Sequence, residues 1–192
     1  MWLMNSGKKV TSAATIALLV VSVGVNVAQA KRIRTLVDPD LPPPAVLGHH
    51  ADAIPALTPQ GDHVTVQFDG RPTLVYYFSP QCTWCERNWE NVRALAASAN
   101  GRFRVVAIAA EANLKTFTET HALNFEVYGG VPAETREAYG FHGTPQTVVV
   151  SSQGVVSHIW TGVFVGRQAR QVESLFGVAL PGVTAAPAKS KP

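Results

Sequence analysis

Cysteine is nearly absent from this chain. The two that it has, Cys82 and Cys85, stand three residues apart. With no second Cys-x-x-Cys, a four-thiolate zinc site is excluded, and any zinc would need histidines from His121, His142, His49 or His50. The pair is also a poor structural staple, because so short a loop removes little entropy from the unfolded chain. Charge is scarce as well, at 15% of residues against 46% hydrophobic, which excludes both a disordered chain and one that lies wholly in a membrane. The net charge of +3 includes Lys8 and Lys9, and without them the balance is 14 basic minus 13 acidic residues, or +1. No basic stripe with interleaved aromatics is present, so nucleic acid is not an expected partner. No internal repeat is visible.

The 192 residues suffice for one domain with a substantial core. Residues 1–30 read as a targeting segment. Lys8-Lys9 form a positive start, Ala13 to Val25 an apolar core, and Ala28-Gln29-Ala30 a small-x-small cleavage signature. An uncleaved anchor is the alternative, since Val10 to Ala30 is about long enough to span a bilayer. Either outcome exports the main domain. Lys31, Arg32 and Arg34 argue the other way, because positive flanks favour the cytoplasmic side. Residues 31–48 hold Asp38-Pro39-Asp40-Leu41-Pro42-Pro43-Pro44, a stiff extended linker. Residues 179–192, rich in Ala, Pro and Lys, read as a disordered tail.

Residues 49–178 form the domain between them. His63 to Phe68 alternates like a half-buried strand and ends at a turn, Asp69-Gly70. Leu74 to Ser79 and Arg104 to Ala110 are nearly continuous apolar runs, as buried central strands require. Thr83 to Ala99 has helical spacing, with Trp89, Val92, Leu95 and Ala96 on one face. A helix over Asn113–Leu123, a short strand over Phe125–Tyr128 and a helix over Ala133–Tyr139 follow. Strands Thr147–Ser151 and Val155–Thr161 flank Ser152-Gln153-Gly154, a hairpin signal, and Gly166–Phe176 closes the domain as a helix. The pattern predicts an α/β fold, a mixed sheet with helices on both faces.

Cys82-Thr83-Trp84-Cys85 therefore stands at a strand-to-helix turn, where a Cys-x-x-Cys reads as a thiol–disulfide redox centre. The thiolate is the attacking species. At the first turn of a helix, a sulfur faces unpaired N–H groups and the positive end of the dipole, so Cys82 is expected as the nucleophile with a favoured thiolate. Cys85 lies one turn on along the same face, more buried, and is the expected resolving thiol.

Tyr76 to Cys85, taken with Tyr139-Gly140-Phe141-His142-Gly143-Thr144-Pro145, resembles the thioredoxin superfamily, and more narrowly the TlpA/ResA/CcmG-like envelope oxidoreductases. The resemblance covers roughly residues 45 to 178. It implies a thioredoxin-like fold with an extra helix and strand inserted over residues 113 to 130, before the proline. It implies that Pro145 is a cis-proline facing the cysteine pair, leaving the Thr144 backbone free to pair with an extended substrate peptide. It further implies protein thiols or disulfides as substrates, a membrane electron donor as partner, the periplasmic side of the cell envelope as location, and no cofactor or metal beyond the cysteines. The direction expected from the resemblance is reduction. A disulfide oxidase or isomerase would use the same residues. A copper metallochaperone on the same fold would need His142 or His121 to converge on the cysteines. A thiol peroxidase would want proline and threonine where Val75 and Ser79 stand.

Three positions depart from the family pattern. Trp84 precedes the second cysteine where proline is common, and is expected in an apolar docking rim. Tyr76 replaces a buried aspartate, and Asn88 replaces a glutamate. Glu111, at the end of the strand expected beside the active-site strand, is the candidate to assist Cys85 in their place; its alternative is a solvent-facing loop carboxylate. His142 either tunes Cys82 or is a loop residue with local hydrogen bonds. His49-His50 is read as solvated loop.

Overall fold

Six consecutive buried residues, Thr73–Phe78, make the central strand β3. In the computed structural model, which describes residues 15–16, 18–29, 47–68 and 70–182, the strands and helices are β1 (Ile54–Leu57), β2 (His63–Val66), β3, α1 (Thr83–Ser98), β4 (Arg104–Ala109), α2 (Lys115–His121), β5 (Glu126–Tyr128), α3 (Ala133–Ala138), β6 (Gln146–Val150), β7 (Val156–Thr161) and α4 (Gly166–Phe176). The main sheet has the order β5-β4-β3-β6-β7. β4 runs parallel to both β3 and β5, while β6 is antiparallel to β3 and β7 antiparallel to β6. This is the mixed α/β architecture expected from the pattern of runs and turns.

Side chains alternate across a strand, so β3 feeds two cores. Leu74, Tyr76 and Phe78 point into a cluster with Cys85, Trp89, Val92 and Leu95 of α1 and with Val172 and Phe176 of α4. Val75 and Tyr77 point the other way, to Ile54, Ala56, Val66, Tyr139 and Phe141. β4 divides in the same manner, with Ala107 on the α1 side and Val106 and Ile108 opposite.

The second face also carries an element that was not expected. An antiparallel pair of strands, β1 and β2, covers much of it, with Ile54 opposite Val66. β1 was not expected, because its second residue is Pro55, which cannot donate to a ladder and so marks an edge. α3 contributes no buried residue of its own, and its chain buries Tyr139 and Phe141 just beyond it. α2 is shorter than the predicted Asn113–Leu123; Ala122 adopts a left-handed conformation that ends it.

The chain divides into two units, residues 1–41 and 42–192. In the first, residues 18–29 are helical. Among the described residues, no helix is long and apolar enough to cross a membrane. Lys8-Lys9, Ala30 of the cleavage signature, the linker up to residue 46, Asp69 and the tail from residue 183 lie outside the described residues. His49 and His50 are exposed, and their backbone pairs with the start of β7: Val156 N–H donates to His49 O at 2.9 Å, and His50 bridges Val155.

Candidate functional site

The chain leaves β3 at Phe78 and turns within four residues into α1. Cys82 N–H donates to Ser79 O at 3.1 Å, which closes that turn. Cys82 is the N-cap of α1, with an extended backbone, and its Sγ accepts the Cys85 N–H at 3.1 Å. A sulfur in the capping position takes one of the four N–H groups that a helix start leaves unpaired. The Cys82 thiol in turn points at Thr144 O, 3.5 Å away.

Cys85 is 1% exposed, whereas Cys82 is half-buried, and both are free thiols. Burial pushes the Cys85 thiol up from its ordinary 9.0 to about 12, with the neighbouring Cys82 adding to the rise. Hydrogen bonds to the Ser79 backbone and the Thr144 hydroxyl pull the other way. The Thr144–Pro145 bond is cis, and Pro145 is buried. The site thus meets the loop before β6 at Thr144, whose carbonyl faces Cys82.

Trp84 is 54% exposed, with the Arg87 guanidinium 4.6 Å above its ring. Glu111 reaches the turn rather than Cys85. Its Oε1 accepts from the Ser79 hydroxyl at 2.8 Å, and its Oε2 is buried with no hydrogen-bond partner. It is therefore neither a solvent-facing carboxylate nor a direct partner of Cys85. His142 is exposed, with Nδ1 4.0 Å from Glu137. His121 stacks on Phe117 and bonds its carbonyl. Among the described residues, no group of three or more His, Cys, Asp or Glu side chains gathers as a metal site.

Two residues at the site were noted in the sequence only as departures from a pattern. Tyr76 and Asn88 are both fully buried, and Asn88 Nδ2 donates to the Tyr76 hydroxyl at 3.3 Å. Tyr76 and Cys85 lie in the same buried cluster. Burial, followed by the charge that Cys85 would carry, holds the Tyr76 phenol well above its ordinary range.

The sheet order, the helix capped by a cysteine and the cis-proline facing it define a thioredoxin-like fold. Solved structures with the same fold include StoA from Bacillus subtilis, 15% identical with a TM-score of 0.53, the match covering 68% of this chain and 98% of that one. A secreted Mycobacterium tuberculosis disulfide oxidoreductase homologous to E. coli DsbE is 19% identical with a TM-score of 0.53, over 64% of this chain and 93% of the other. The thioredoxin domain of a thiol-disulfide oxidoreductase from Bacteroides vulgatus is 19% identical with a TM-score of 0.54, over 68% and 98%. No family model and no curated protein sequence matches the chain.

Proposed function

We propose that this chain is an exported thiol–disulfide oxidoreductase that reduces protein disulfides in the bacterial cell envelope, with no cofactor beyond its cysteine pair. The observation that carries the reading is the asymmetry of the two thiols. Cys82 is half-buried at the start of α1 with an N–H aimed at its sulfur, while Cys85 is enclosed one turn behind it. The Cys82 thiolate attacks one sulfur of a substrate disulfide. The substrate S–S bond breaks, its second sulfur leaves with the electron pair and takes a proton, and a mixed disulfide remains. Cys85 then attacks Cys82 Sγ, the first substrate sulfur leaves in the same way, and the pair is left oxidised. Two electrons have passed to the substrate, so a reduced dithiol partner, a membrane electron donor in this reading, must restore the pair.

The Thr144 backbone ahead of Pro145 is where an extended substrate segment pairs in this reading, with Trp84 as an apolar rim beside Cys82. Export rests on the apolar segment before residue 30 and the proline-rich stretch after it.

The test is turnover of a protein disulfide such as insulin, together with the reduction potential of the pair. Cys82→Ser is expected to abolish turnover, and Cys85→Ser to trap a mixed disulfide. A potential near or below about −270 mV supports a reductase. One near about −120 mV reverses the direction and makes the chain a disulfide donor.

A further inference from the structure

Beneath Cys85 a chain of uncharged hydrogen bonds runs in one direction only. Gly182 N–H donates to Asn91 Oδ1 at 2.9 Å, so the Asn91 amide turns its NH₂ toward Asn88. Asn88 Oδ1 accepts from that NH₂ at 2.9 Å and from Phe164 N–H at 3.1 Å. A backbone N–H only donates, so Asn88 cannot flip, and its own NH₂ must face Tyr76. Tyr76 accepts that hydrogen bond at 3.3 Å. A phenol carries a single hydrogen, and Asn88 offers it no acceptor. The hydrogen is left for another acceptor, and Cys85 stands in the same buried cluster as Tyr76, one turn before Asn88 on α1, where its charge acts on the phenol. Tyr76, Asn88 and Asn91 are all 0% exposed, so water does not compete for these bonds.

We propose that Tyr76 is a positioning residue for the resolving step, aimed by Asn88 so that its hydroxyl donates to Cys85 and stabilises the Cys85 thiolate. This rests on the reading of Cys82 and Cys85 as nucleophile and resolving thiol. The other groups facing Cys85 are Cys82, the Ser79 backbone and the Thr144 hydroxyl. The Glu111 carboxylate is one hydroxyl removed, on Ser79. Once Cys82 is tied up in a mixed disulfide, it no longer raises Cys85 as a charge. Burial remains, and a neutral donor offsets it without adding a second negative charge. The bond that forms is Cys82–Cys85, the bond that breaks is Cys82–substrate, and the proton given up by Cys85 ends on the released sulfur.

The experiment uses the reduced full chain and the chromogenic disulfide dithiobis-nitrobenzoate. Attack by Cys82 releases one aryl thiolate in a fast phase, and attack by Cys85 on the mixed disulfide releases a second in a slow phase. In Tyr76→Phe the slow-phase pH profile is expected to move up by about one unit while the fast phase keeps its profile. At neutral pH the slow phase falls only about threefold, because a more basic thiolate is also more nucleophilic. Asn88→Asp keeps acceptors for Phe164 and Asn91 but also accepts the Tyr76 hydrogen, and so gives a shift of the same sign. A slow phase that keeps its profile in both folded variants, or slows without a shift in profile, overturns the role of Tyr76. A wild-type slow phase that persists in Cys85→Ser overturns the cysteine assignment instead.

Discussion

Cys82 and Cys85 differ by one helical turn in position and by a wide margin in environment. Helix geometry alone accounts for this, since the N-cap sits outside the helix while the third residue beyond it faces β3 and the first core cluster. The raised Cys85 thiol links to stability with a definite sign. Between the unfolded value near 9.0 and the folded value near 12, the folded chain holds a proton that the unfolded chain has lost. The contribution is therefore complete below the unfolded value and is lost as pH rises through the folded one. Urea midpoints of the reduced chain, measured against Cys85→Ala, are expected to draw together as pH rises from about 9 to about 11. A gap that stays constant or widens over that interval contradicts the enclosure of Cys85. The role of Tyr76 could not be read at this scale from sequence. The sequence marked the two positions as lacking carboxylates, but only the packing of β3 on α1 shows that they bond to one another.

At the scale of elements, the strands of the main sheet were legible because their apolar runs are long and bounded by turn residues. β3 and β4 are buried on both faces, which leaves the continuous runs seen at Leu74–Phe78 and Val105–Ala109. β1 escaped notice for the opposite reason: it is four residues long with a proline inside. The position of Glu111 was equally out of reach, because it depends on how β4 ends against the loop after β5. That loop approaches closely. A Cβ at Gly129 would lie 2.2 Å from Glu111 O, and Gly130 N–H donates to the same oxygen at 2.9 Å. Gly129→Ala must therefore push the end of β4 aside, and with it the carboxylate that holds Ser79. The expected cost is about 1–3 kcal/mol of stability, as for other overpacked sites. A urea midpoint equal to that of the wild type would show that the loop gives way freely and does not hold Glu111.

For the molecule as a whole, the feature with most consequence is that one strand serves two cores. Tyr76 and Val75 are adjacent in sequence, yet each is fully buried in a different cluster. Neither cluster can lose its packing without loosening β3, and β3 carries the turn into Cys82. The two clusters draw on residues from Ala51 to Leu180, all within the second unit. A chain trimmed to residues 42–192 is therefore expected to unfold in one transition, with both cores failing together. Aromatic residues on each side allow this to be seen: Tyr76 and Trp89 lie in one cluster, Tyr77 and Tyr139 in the other. Near-UV and far-UV circular dichroism should give coincident denaturation curves. Val75→Ala, which acts on the face away from the cysteines, should lower both by the same amount. It should also speed alkylation of Cys85, since the only route to that thiol would be through global opening. Separate transitions, or a Cys85 protection that ignores Val75→Ala, would mean that the helical face melts by itself and that the redox site is guarded by α1 alone.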